Sequence, residues 1–225
     1  MAAMEDALRT GEIQTMRWPQ DWRTGYDFWF PLGLDSAGPE THYRMLERWF
    51  RGGVNAELAP FAPFVDAAAA GDLNHWLAMP RGRLPLIIVL DQFPRGLFAG
   101  TPKAFAFDLQ ALAITTEGLQ IGHYDALLHL WEKAFFALPL IHAEGPDHLA
   151  RADLGVALSE KRLAESPPDL RPIREFGLSQ ARGHREVISR FGRHPHRNAV
   201  LGRASTPEEA VYVEKGDFVH NRRPA

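Results

Sequence analysis

Apolar residues in this chain recur at helical spacing, in stretches that glycine or proline cuts short, and strand-like alternation is scarce. Residues 41–51 put Met45, Leu46, Trp49 and Phe50 on one face, ahead of Gly52-Gly53. Residues 55–70 do the same with Leu58, Phe61, Phe64, Val65 and Ala68, ending at Gly71. Thr101-Pro102 reads as an N-cap and first-turn proline that open a helix to about Thr116, with Gly118 just beyond. Residues 125–138 carry Leu127, Leu128, Trp131, Phe135 and Leu138 inward, with Pro139 as the stop. Further helices are expected over 146–165 and 172–191, the second weakened at its centre by Gly177 and Gly183. Thr206-Pro207-Glu208-Glu209 spells a capping box for a last helix. The apolar run Leu84 to Phe93 fits a buried strand or a buried helix, and its helical surroundings favour the helix. Residues Asn221 to Ala225 are expected to fray. The fold class is therefore all-α.

At 225 residues, with 45% hydrophobic and 24% charged, the chain can bury a sizeable core as a single domain over 1–225, and Ser166-Pro167-Pro168 is the best linker candidate. Of six tryptophans, Trp18, Trp22, Trp29 and Trp49 fall in the first 50 residues and read as core anchors. Cysteine is absent, which excludes disulfides, thiol nucleophiles and thiolate metal sites. The net charge of −3 argues against nucleic acid as a partner. Its distribution is uneven. Residues 1–170 hold 14 Lys+Arg against 22 Asp+Glu, and residues 171–225 hold 11 against 6. The basic end either meets an anionic ligand or faces the acidic remainder of its own fold. No segment reaches the roughly 18 uninterrupted apolar residues of a membrane span. Met1 to Asp6 is acidic and does not resemble a leader, so a cytoplasmic location is expected. Phosphate-binding loops, dinucleotide glycine patterns and the Gly-x-Ser-x-Gly elbow are missing, so no cofactor is expected.

Three segments have the composition of a site. In Asp91-Gln92-Phe93-Pro94-Arg95 the proline pushes Phe93 out of the helical region and leaves Asp91 in the last turn of an apolar helix. A carboxylate is unfavourable at that negative end, so Asp91 needs a cation, with Arg95 the local candidate. The pair is either a structural salt bridge or a carboxylate that orients a ligand. Pro139-Leu140-Ile141-His142-Ala143-Glu144 reads as a short constrained loop, with His142 and Glu144 two apart and on one side of an extended strand. They suit an oriented base, or simply a pair that caps the adjacent helices. The third segment is the densest: Arg190-Phe191-Gly192-Arg193-His194-Pro195-His196-Arg197-Asn198, then Leu201-Gly202-Arg203. Gly192 suits a left-handed cap, and Pro195 forbids helix continuation. Its arginines offer bidentate geometry to carboxylate or phosphate, or a structural network that ties down the last helix. No His-x3-His or His-Glu-x-x-His pattern supports a metal.

These segments together resemble the bacterial domain-of-unknown-function 924 family. The resemblance rests on Leu90 to Arg95, Gly100-Thr101-Pro102 with Ala104-Phe105-Ala106, Leu138-Pro139-Leu140 with His142 and Glu144, and the Arg190 to Arg203 motifs. Phe28-Trp29-Phe30 also fits, and the motif-bearing body runs from about 26 to 215. The resemblance implies a tetratricopeptide-like array of antiparallel helical hairpins, and no activity. Where the family has serine between the positions of His142 and Glu144, this chain has Ala143, so a serine nucleophile there is not expected.

Two functions fit. One is a binding or enzymatic pocket for a small anionic molecule. In it Asp91, His142, Glu144 and His196 would do the acid–base work, and Gln92, Arg95, Arg190, Arg193, Arg197 and Asn198 would hold the ligand. The other is a non-enzymatic helical scaffold that binds a partner protein, with the same residues as internal struts. Either way the three segments should meet in space, because each charged group is costly to bury alone.

Overall fold

The computed structural model describes residues 21–222, and every regular element among them is helical. The α-helices are α1 (Arg23–Trp29), α2 (Pro39–Phe50), α3 (Ala62–Ala70), α4 (Pro80–Asp91), α5 (Phe93–Leu97), α6 (Asp108–Gln120), α7 (Leu130–His142), α8 (His148–Ala164), α9 (Arg171–Phe191) and α10 (Pro207–Lys215). Turns of 3-10 helix link them, including Pro102–Phe105, Pro195–Arg197 and Val219–Asn221. Among the described residues no helix is long and apolar enough to cross a membrane.

Helix α4 is the centre of the fold. Leu84, Leu86, Ile87, Ile88, Val89 and Leu90 are all buried, so the ambiguous apolar run is a helix covered on every side. It packs against α1, α3, α6 and α7. Just past its end, Phe93 meets Trp29, with ring centroids 5.6 Å apart, and Trp29 in turn meets Phe135 edge-on at 5.5 Å. Trp29 and Trp49 are core anchors as expected, and Trp18 lies outside the described residues. Helices α8 and α9 pack along one another, and Ile141, Ala152, Ala181 and Ile188 form a smaller apolar cluster there.

Several boundaries differ from the sequence expectation, most of them at prolines. Pro60 and Pro63 have no N–H to donate, and the 55–70 segment breaks into 3-10 turns before α3. Thr101-Pro102 opens only a 3-10 turn, and the Thr101 hydroxyl donates back to the Phe98 carbonyl at 2.7 Å instead of capping a helix. The α-helix that follows begins at Asp108 and runs past Gly118. Pro139 does not stop its helix. It lies inside α7, which starts late, at Leu130, where Glu132 accepts from the His129 and Leu128 amides at 2.9 and 3.0 Å. Leu128 consequently points outward. Pro94 does not drive Phe93 out of the helical region. The backbone breaks at Gln92 and re-enters a helix at Phe93, because a proline is tolerated in a first turn. At the far end Asn221 is held rather than frayed: its carbonyl accepts from Arg51 at 3.0 Å.

Candidate functional site

The end of α4 brings the first segment to the others. Asp91 is buried at 1% exposure, and Arg95, one turn later on α5, approaches its carboxylate at 3.3 Å and donates to its backbone carbonyl. The guanidinium thereby covers the negative end of α4. Gln92 donates its side-chain amide to the same carboxylate. The His142 Nδ1 lies 2.9 Å from both Asp91 oxygens. Burial draws the Asp91 carboxyl upward, but Arg95 and His142 outweigh it and hold the group below the usual carboxylate range. An ionised carboxylate only accepts, so Nδ1 carries the proton and donates. In the neutral ring, Nε2 is left with its lone pair.

Asp108, at the first position of α6, extends the network. It accepts from Arg95 Nη2 at 2.9 and 3.1 Å and from Arg197 Nη1 at 3.0 Å. Arg197 Nη1 also donates to the His142 backbone carbonyl at 3.0 Å. His142, Asp91, Arg95, Asp108 and Arg197 thus form a closed ring, with Arg197 stacked over Phe105 at 4.4 Å. Burial, with Asp91 nearby, leaves the Asp108 carboxyl above its ordinary range. Burial and the neighbouring Arg95 bring Arg197 down to about 10, so it stays charged at neutral pH.

The remaining predicted residues divide. His196 lies against His194 and His220, with ring centroids 5.5 and 4.7 Å apart. Burial first, then His220 and Arg197, push it down to about 3. His184 and His194 are likewise held well below the ordinary value, chiefly by burial, so these rings are neutral. Glu144 does not share a face with His142. It turns the other way, accepts from the His194 amide at 2.8 Å and pairs with Arg203. The extended-strand expectation fails because His142 is the last residue of a helix. Arg193 is bound to Glu209, at 2.6 and 2.7 Å, and Asn198 donates to Ser205 and Glu209. Arg190 lies against Phe191 and 3.6 Å from Glu208. These three brace α10, whose first turn Glu209 caps in the capping box with Thr206. The basic end therefore faces acidic groups of its own fold at many points, Arg182 with Glu160 and Arg185 with Asp153 included.

Between α2, α7, α8 and α9 lies a cavity of about 520 Å³. Gln92, Arg95, His142, His184, His194, His196 and Arg197 line one end of it. The side-chain hydrogen bonds of His142 run through Nδ1 to Asp91, and the residue is one of those that line this space. Arg190, Arg193, Asn198, Glu144 and Asp91 do not line the cavity. Among the described residues no group of three or more His, Cys, Asp or Glu has the geometry to hold a metal ion. Sequence reasoning missed Asp108, His184, Arg162 and Arg174. A signal for the α9 residues existed: Arg174, Gly177, Ala181 and His184 repeat at helical spacing, two functional side chains separated by two small ones.

The geometry defines an all-α protein with a buried ion-pair ring at the end of a partly open cavity. The chain belongs to the family of bacterial proteins of unknown function DUF924, whose pattern matches residues 26–217. A solved structure of a protein of unknown function from Agrobacterium tumefaciens is similar at 31% identity and a TM-score of 0.63, over 87% of this chain and 97% of that one. A comparison with curated proteins gives no match.

Proposed function

We propose that this cavity binds a small anionic molecule and that the Asp91–His142 pair moves a proton on it, within a tetratricopeptide-like stack of helical hairpins in the cytoplasm. The observation that carries the reading is the His142 ring. Its Nδ1 is fixed by a buried carboxylate, no bond engages its other nitrogen among the described residues, and the residue lines a cavity of about 520 Å³. A carboxylate that fixes the tautomer and stabilises the imidazolium formed is the arrangement a general base requires. The ring of ion pairs holds both members from behind. Arg95 and Arg197 are committed to Asp91 and Asp108, so they orient the pair rather than offer free charge to a ligand. The neutral rings of His184 and His196 supply polar contacts without repelling a protonated His142. The scaffold alternative calls for motif residues sealed between helices with no room for a ligand. Arg193, Asn198 and Glu144 lie off the cavity and serve as struts through Glu209 and Arg203, whereas His142 lines it.

Aryl monoesters of small dicarboxylic acids and of phosphoric acid, which keep a negative charge, test the reading by release of the coloured phenol. Turnover should fall at least about 100-fold in His142→Gln and in Asp91→Asn, the scale of a lost general base. Circular dichroism must show both variants folded. No turnover on any ester, or equal turnover in folded His142→Gln, removes the proton-transfer role.

A further inference from the structure

The two committed arginines at the His142 end leave open what meets the ligand's charge. The other end of the cavity holds the answer. Arg162, in the last turn of α8, and Arg174, in the first turn of α9, both line it. Neither has a carboxylate partner among the described residues. Arg162 donates only to the Tyr124 hydroxyl at 3.2 Å and the Ser159 hydroxyl at 2.6 Å. Arg174 has a buried Nε with no acceptor, and Gln180 Nε2, on the same helix, is also buried and unpaired. Burial and then the charge of Arg162 bring Arg174 down to about 10, so it remains a cation at neutral pH with a second cation beside it. Elsewhere the buried guanidinium groups meet a carboxylate, as Arg95 and Arg197 do, although Arg197 Nε is also buried without an acceptor. A half-buried cation pair with idle donors is costly, and an anion from outside the chain relieves it.

Between the two ends the wall is apolar, with Leu46 and Phe50 from α2, Leu138 and Ile141 from α7, and Phe176 and Ala181 from α9. Gly177 leaves the space open: a methyl built there would meet nothing within 4 Å. From Arg174 to His184, ten residues of helix give a length of about 15 Å.

We propose that Arg174, with Arg162 and Gln180, holds the anionic head of an elongated amphipathic acid, a carboxylate or phosphate monoester whose apolar body lies along α9 toward His142. The proposal deepens the pocket reading and rests on it for the cavity being a ligand site. It does not depend on any proton transfer at His142.

Titration calorimetry with decanoate, decyl phosphate and decanol tests it. Decanoate or decyl phosphate should bind, and whichever binds more tightly identifies the head group. Decanol should bind at least about tenfold more weakly, as a lost charge-assisted contact implies. Arg174→Met should lose the anion by at least the same factor, with Arg174→Lys recovering part of it. Arg174→Met should also melt no lower than the parent, since it removes an uncompensated cation. A purely structural arginine would instead lower the melting temperature. Gly177→Leu fills the space without backbone strain and should abolish binding. Equal affinity for decanol, unchanged affinity in Arg174→Met or Gly177→Leu, or no binding of either acid overturns the proposal. If decanoate binds as described while no ester is turned over, the head-group site stands and only the role of His142 falls.

Discussion

Asp91 shows how a single unfavourable placement organises its surroundings. A carboxylate at the C-terminal end of a fully buried helix meets both desolvation and the helix dipole. The chain answers with Arg95, His142 and Gln92 together, and Arg95 also covers the exposed carbonyl of the same turn. Replacing Asp91 with Ala leaves Arg95 its second partner, Asp108, but strips His142 and Gln92 of theirs. The expected cost is about 3 kcal/mol, the lower end of the range for breaking a buried ion pair. Urea denaturation at neutral pH checks this. A loss below about 1 kcal/mol means that water reaches the carboxylate in the folded protein.

At the scale of elements, two glycines with the same local role have opposite reasons to exist. Gly118 sits inside α6 where a Cβ would come within 2.5 Å of the Phe136 ring and 2.6 Å of Arg83. Gly177 sits inside α9 facing open space. Gly118→Ala should therefore cost about 1–3 kcal/mol through overpacking. Gly177→Ala should gain about 0.5–1 kcal/mol from helix propensity. Melting curves that move the same way for both would refute the packing account. The sequence does not foretell this difference: Gly118 reads as lying just past a helix that in fact continues to Gln120, and Gly177 as a weak point inside one. Periodicity revealed the helices because the apolar faces are local. Boundaries at Pro94 and Pro139 were misjudged because tertiary contacts keep the backbone helical after a proline has removed one hydrogen bond. The site was legible in part for the same reason. Asp91 and Arg95 announce themselves by a local conflict, charge beside proline in an apolar run. Arg174 and Asp108 are ordinary helix-end residues until α6, α8 and α9 are assembled. Glu144, Arg193 and Asn198 share the motif composition of the site residues, but α10 claims them.

Across the whole molecule, the buried imidazoles set how stability responds to acid. His184, His194 and His196 come from α9 and from the turn after it, and burial is the first cause of the lowered affinity for protons in all three. His196 takes a proton only near about 3 in the fold, against an ordinary value of 6.5 in the unfolded chain. Between those limits the unfolded state binds more protons, so stability is full above about 6.5 and declines as pH falls. Each such group contributes a slope of up to about 1.4 kcal/mol per pH unit. Asp108, whose carboxyl is raised, works in the opposite sense, gaining a proton in the fold before it does so unfolded. Asp27 is raised as well, but seven imidazoles stand against these two, since burial also lowers His42, His123, His148 and His220. Asp91 and Glu144 are depressed and add to the loss only once pH drops into the range of unfolded carboxylates, 3.8 to 4.5. The interval from about 6.5 down to 4.5 thus belongs to the histidines. Urea midpoints should fall between pH 7.5 and pH 5.0, and His184→Leu, which removes one of the most strongly lowered groups, should flatten that fall. A midpoint that is constant over this interval would mean the imidazoles accept protons freely in the folded state, and the cavity end they line would then be cationic at mild acidity rather than neutral.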